Sequence, residues 1–191
     1  MKQALISTQF LTYLDEMILE RSGDLPKLIE AAGLHASIFS EVESLIPFTF
    51  HLQLLDTAAT ELNWPTLALE LASRQSIGFL GPLYPMLKSA PDVRTALQTL
   101  SQHLNIQVQG VDTRIEDGKD SVNFIIESSL PSIANSIGFQ NHGLALTRNM
   151  MLWMCGPQWR PRAVYFPQVE PDKTEMYSNF FNAPVAFGGG A

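Results

Sequence analysis

Apolar residues recur every three or four positions through the first half of the chain, a spacing that predicts helices. Phe10, Leu11, Leu14, Met17 and Ile18 share one face of a helix over 8–21, with Ser7 or Thr8 as cap and Gly23 as stop. Asp24 caps a short helix carrying Leu28, Ile29 and Ala32, which ends at Gly33. A third helix runs from Phe48 to Leu62, with Leu52, Leu55, Ala58, Ala59 and Leu62 inward, and Pro65 opens a fourth with Leu67, Ala68 and Leu71. Between Ser76 and Met86 glycines and prolines interrupt an apolar run, which predicts a buried connector with a helical turn from Pro82. Pro91-Asp92 then starts a helix carrying Val93, Ala96, Leu97, Leu100 and Leu104.

Here the period changes from 3.6 to 2. Ile106, Val108 and Ile115 belong to one extended segment, and Val122, Phe124 and Ile126 to another. The Asp117-Gly118 step between them signals a hairpin. Helical spacing returns from Ser132 to Cys155, with Ile133, Ile137, Leu144, Met151 and Cys155 on one face. Gly156-Pro157 ends that helix. Ala163 to Phe166 reads as a strand, Asp172 to Phe181 as a helix and Val185 to Phe187 as a last strand. The order predicts an α+β fold. A helical part of about 1–90 packs on an α-β-β-α-β-α-β part of about 91–187 that holds a small, largely antiparallel sheet, and 1–191 forms a single domain. The tail from Phe187 through Gly188-Gly189-Gly190-Ala191 reads as the start of a linker.

Charge narrows the function classes. The chain has 191 residues, of which 16% are charged, against about 25% in typical domains. A surface so poor in charge predicts cover by a partner subunit or by another domain, and a homodimer is expected. The net charge is −7, and neither half is basic, so the clustered Lys/Arg of a nucleic-acid footprint is missing. The start of the chain lacks the apolar core of a signal peptide, and the longest charge-free run, Ser128 to Thr147, is broken by Pro131, Asn135, Gln140, Asn141 and His142. No membrane association is expected. The single cysteine, Cys155, excludes an intrachain disulfide and fits the cytoplasm.

No reaction centre emerges. His35, His51, His103 and His142 lack a second ligand at metal-binding spacing. Cys155 is expected to be a buried, inert thiol at a helix C-terminus. There is no Gly-x-Ser-x-Gly elbow, and Gly78-Phe-Leu-Gly81 is too short for a dinucleotide fingerprint. The acids of the hairpin do not fit a calcium loop. No enzyme, metal or cofactor is therefore expected. Apolar and aromatic residues with scattered polar groups are what remains, as in small-molecule pockets. Phe79, Leu80, Tyr84 and Met86 come from the connector, and Phe139, His142, Leu146, Asn149, Met150 and Trp153 from the long helix. These ten are the candidate ligand-binding residues. Tyr84, His142 and Asn149 would orient a ligand that Phe79, Met150 and Trp153 wall in.

Two ordered signatures sharpen this reading. One is Leu69-Glu-Leu-Ala72, Gly78-Phe-Leu-Gly-Pro-Leu83 and Ala90-Pro-Asp-Val-Arg-Thr-Ala-Leu97. The other is Trp159-Arg-Pro-Arg-Ala-Val-Tyr-Phe166, followed by Pro171, Tyr177, Phe181 and Pro184-Val-Ala-Phe187; Ala31-Ala-Gly-Leu34 fits as well. Together they resemble the arabinose-binding-type N-terminal domain of AraC-type bacterial transcription regulators. Gln168 stands where that family often has a histidine. The resemblance implies an effector-sensing, dimerising domain whose helix-turn-helix DNA-binding domain lies outside this chain. DNA would be reached only through that other domain. A small, mostly apolar effector is expected rather than a sugar, because the candidate pocket is mainly apolar. The alternative is a ligand-free protein–protein interaction or dimerisation domain.

Overall fold

The computed structural model describes residues 3–39 and 44–188. Strand β1 (Leu5–Ser7) leads into a 3-10 turn over Thr8–Leu11, with Ser7 Oγ accepting from the Gln9 amide. The chain then reverses at Tyr13, φ 74°, before helix α1 (Leu14–Glu20). The helix expected over 8–21 is thus two pieces. Its periodicity hides the break, because Phe10, Leu11, Leu14, Met17 and Ile18 are buried in the broken form too. The carbonyls freed at the break are held by Gln75, whose Nε2 donates to Phe10 O at 3.0 Å and Thr12 O at 3.2 Å.

Helix α2 (Leu25–Ala31) starts at Asp24, which accepts from the Lys27 amide, and Gly33 stops it with φ 70°. A 3-10 turn over Ala36–Phe39 precedes β2 (Leu45–Pro47), which pairs antiparallel with β1, Ile6 opposite Ile46. The front part is therefore not wholly helical; three-residue strands are too short for alternation to reveal them. Helices α3 (Phe48–Glu61) and α4 (Leu67–Arg74) follow as expected. The connector is a 3-10 turn over Ile77–Leu80 and helix α5 (Leu83–Lys88), capped at Pro82. Asp92 accepts from the Thr95 amide at 2.7 Å to start α6 (Val93–His103).

The extended segment expected from Ile106 begins later. Leu104–Ile106 is a 3-10 turn that leaves Ile106 exposed, and Val108 forms an isolated bridge to Ile6. Strands β3 (Asp112–Asp117) and β4 (Val122–Glu127) make the expected antiparallel hairpin, with the Gly118 amide donating to Ser121 O. Helix α7 (Pro131–Ala134) is separated from α8 (Ile137–Cys155) at Asn135-Ser136, where one helix was expected. Ile137 consequently faces solvent instead of the core. Cys155 is exposed rather than buried, and partial desolvation raises its thiol pKa. Strand β5 (Val164–Phe166), helix α9 (Thr174–Phe181) and strand β6 (Val185–Phe187) close the described chain, β5 and β6 running parallel. The class is α+β, with the strands among the described residues in three separate pairs, two antiparallel and one parallel. Residues 189–191, expected to begin a linker, lie outside the described residues.

Helix α4 packs along α8, while α3 packs on α2, α4 and α8. The junction of α3 with α8 is polar. Asp56 accepts from Ser136 Oγ at 3.1 Å and from the Gly138 amide at 3.0 Å, and Ser136 Oγ also accepts from the Phe139 amide. These bonds satisfy amides that open the first turn of α8. Burial raises the Asp56 pKa, while the Ser136 and Gly138 bonds pull it back. A Cβ at Gly138 would lie 2.7 Å from Asp56 Oδ1, so glycine permits the approach. Replacing Asp56 with alanine is expected to lower the unfolding free energy by about 1–2 kcal/mol, as for a lost helix cap. Urea titration checks this, with a smaller loss expected for Asp56→Asn, which keeps one acceptor oxygen.

Candidate functional site

A partly enclosed cavity of about 90 Å³ lies where β1, α3, α6, α8 and the β3–β4 hairpin meet beneath the connector. The 3-10 geometry of the connector turns Phe79 and Leu80 inward, and Gly81 follows with φ 49°. A Cβ on Gly81 would fall 1.9 Å from Gln107 Nε2, so glycine is what lets Gln107 reach Leu80 O at 3.2 Å. From α8 come Phe139, His142, Leu146 and Met150, one helical face. Helix α8 also leaves room: a Cβ at Gly143 would meet no heavy atom within 4 Å.

Six of the ten candidate residues border the cavity: Phe79, Leu80, Phe139, His142, Leu146 and Met150. The other four do not. Tyr84 and Trp153 pair with each other, ring centroids 5.3 Å apart. Asn149 ties α8 to α4 by donating from Nδ2 to Ala72 O at 2.6 Å, and Met86 is half-buried against the core. The connector adds Leu83, and further walls come from segments far away in sequence: Phe10, Phe48, Leu100, Phe124 and Ile126. His51 on α3 and Gln107, beyond α6, were not expected there. The available signal was Gly138 and Gly143 inside a helical pattern, because a helix-interior glycine costs about 1 kcal/mol against alanine; Gly138 is explained by the approach of Asp56, whereas Gly143 faces open space.

The polar content of the lining is unusual. Among its residues there is no Lys, Arg, Asp or Glu. His51 and His142 are 1% and 4% exposed, their rings stacked at 6.0 Å and 17°. Gln75 Nε2 is committed to two carbonyls, so Gln75 Oε1 accepts from His142 Nε2 at 2.8 Å. The His142 proton therefore sits on Nε2. Burial pushes the His142 pKa down to about 3. Burial, reinforced by repulsion from His142, holds His51 well below its ordinary value. Both rings are neutral at neutral pH.

A second polar cluster braces α8 from behind. The Gln168 amide donates to Gln140 Oε1 at 3.0 Å, Gln168 Nε2 to Asn141 Oδ1 at 3.2 Å, and Asn141 Nδ2 to the Tyr177 hydroxyl at 3.1 Å. Gln168 is thus a buried link between α8 and the β5–α9 segment. Among the described residues, no group of three or more His, Cys, Asp or Glu side chains is placed to hold a metal ion. Among the described residues, no helix is long and apolar enough to cross a membrane.

Comparison with known proteins agrees with the two signatures. The family model described as the arabinose-binding domain of AraC transcription regulators, N-terminal, matches residues 23–191. HTH-type transcriptional regulator VirS of Mycobacterium tuberculosis, in strains CDC 1551 / Oshkosh and ATCC 25618 / H37Rv, is 21% identical over 175 residues. That alignment covers 91% of this chain and 52% of VirS, so the chain spans about half the length of these curated relatives.

Proposed function

The chain belongs to the family of arabinose-binding-type N-terminal domains of AraC transcription regulators, and from that membership we propose that it senses a small, mostly apolar effector in the cavity beneath the connector. The observation that carries this reading is the cavity itself: an apolar, uncharged space walled by both parts of the chain. An effector there touches α3, α6, α8 and the hairpin at once, so it favours whichever arrangement of these elements closes best around it. Regulation requires different effector affinity in two states of the protein. The second state involves attached helix-turn-helix units and a second copy of the chain, in a cytoplasmic regulator that meets DNA only through those units. Exposed Tyr165, Val169 and Met176 on the β5–α9 segment supply apolar surface for the partner copy.

Native mass spectrometry of the gently purified chain, followed by denaturing extraction, tests the reading: a dimer carrying extra small-molecule mass is expected. Gly143→Leu tests the placement. Leucine at this helix position raises helix propensity by roughly 0.5–1 kcal/mol and projects into the cavity. The variant is expected to melt higher than the wild type and to lose the rise in melting temperature that the extracted molecule produces. A preserved ligand response in Gly143→Leu would place the effector elsewhere.

A further inference from the structure

Most polar side chains in the cavity wall are already engaged. His142 Nε2 donates to Gln75 Oε1, and Gln107 Nε2 donates to Leu80 O and Gln9 Oε1. The Thr113 hydroxyl lies 2.8 Å from Ser101 Oγ, and Thr147 Oγ1 donates to Gly143 O. His51 is the exception: its Nδ1 is buried and has no hydrogen-bond partner among the described residues. A desolvated ring nitrogen without a partner is unfavourable, and the cost is removed by any molecule that brings a complementary group.

We propose that the cavity takes an uncharged single-ring aromatic molecule carrying one hydroxyl group, and that His51 recognises the hydroxyl. The proposal rests on the cavity being the effector site and adds the chemical class of the ligand. A hydroxyl donates to a bare ring nitrogen or accepts from an N–H, so it suits either tautomer of His51. The ring is dictated by the walls. Phe10 and Phe79 lie 5.6 Å apart, tilted at 57°, and Phe48 and Phe139 6.1 Å apart, edge-to-face at 79°, and another aromatic ring extends such packing. Size sets the limit: at about 90 Å³ the cavity is smaller than the roughly 150 Å³ that admits benzene, so no more than one ring fits, and that ring reaches the open side of the cavity. Charge is excluded by the lining. A carboxylate would lose its hydration with no Lys or Arg in the wall to replace it.

The test is isothermal titration of the chain near neutral pH with toluene, 4-methylphenol and 4-methylbenzoate. The decisive quantity is the ratio of the 4-methylphenol to the toluene association constant, in which the shared apolar contribution cancels. In His51→Leu, which keeps a similar volume without polar atoms, the ratio is expected to fall about tenfold. In His51→Gln, which retains a donor and an acceptor, most of the preference should return, and that variant carries the test if the leucine protein does not fold. 4-Methylbenzoate is expected to bind at least about tenfold more weakly than 4-methylphenol to the wild type. An unchanged ratio in His51→Leu, or benzoate binding as tight as the phenol, overturns the assignment while leaving the cavity as a ligand site. Failure of both toluene and 4-methylphenol to bind overturns the assignment and the effector-site reading together.

Discussion

Acidification from pH 6.5 to about pH 4.5 is expected to remove about 2 kcal/mol of folding stability through His142 alone, and more through His51. The cause is the stacked pair at the cavity, His51 and His142, each buried and neutral. In the unfolded chain both take up protons near 6.5. In the folded protein burial lowers both pKa values, that of His142 to about 3. Below pH 6.5 the unfolded state therefore binds more protons than the folded state, and stability falls with pH. The slope approaches about 1.4 kcal/mol per pH unit for each histidine. Carboxylates titrate mainly at the lower end of this window, and Asp56, whose pKa burial raises, opposes the loss, so the His51→Leu comparison is what isolates the imidazole contribution. Total stabilities of domains are about 5–15 kcal/mol, so the loss is large enough to see as a lowered urea midpoint. Urea denaturation at a series of pH values gives the slope directly. His51→Leu should roughly halve it, and a flat stability profile across this window would contradict the neutral-pair assignment.

Gln75→Leu is expected to cost about 3–5 kcal/mol, and to lower the melting temperature by roughly 10 °C or more. Gln75 is 5% exposed, and its amide makes three bonds: to Phe10 O, to Thr12 O and with His142 Nε2. Leucine fills similar space but strands two carbonyls and a ring N–H away from water. Each stranded group costs about 1–3 kcal/mol, reduced where the backbone can relax toward solvent. The effect reaches the cavity because Phe10 and His142 both border it. Combining Gln75→Leu with His142→Phe removes both ends of one bond, so the double variant should be more stable than the sum of the single losses by about 1 kcal/mol or more. A Gln75→Leu cost below about 1 kcal/mol would show that the break between β1 and α1 does not depend on this side chain.

The helices of the chain are legible wherever a cap coincides with a long apolar stripe. Asp24, Asp92 and the prolines at 82 and 91 mark starts within a residue or two of where they occur. The breaks at Tyr13 and at Asn135-Ser136 are not legible, because both halves of each broken helix keep the same residues inside and the compensating bonds come from Gln75 and Asp56, distant in sequence. Half of the cavity suffers from the same blindness. The α8 face of Phe139, His142, Leu146 and Met150 follows from local spacing. Its opposite walls, His51 and Phe124 among them, arrive through tertiary packing that no local period encodes. Trp153 and Asn149 sit on the same helix but turn toward Tyr84 and α4, since a long helix offers different faces to different neighbours.

Strand β1 owes its place to residues synthesised much later. Its backbone is held by β2 and, in the other direction, by Ser7 N to Gln107 O and Gln109 N to Leu5 O, both at 2.8 Å. The Leu5 amide also reaches Gln109 Oε1, a partner 104 positions away. During translation the first strand therefore emerges long before its outer partners do. Local helices can form on the ribosome, but the wall of the cavity that contains Ile6 and Val108 closes only after the residues beyond α6 have left the exit tunnel. Contacts of such sequence separation are slow to form, because loop entropy is lost before pairing is gained. Closure of the cavity is thus a late acquisition of the nascent chain, and a ribosome stalled before residue 108 carries a β1 that has β2 beside it but lacks its partners on the other edge.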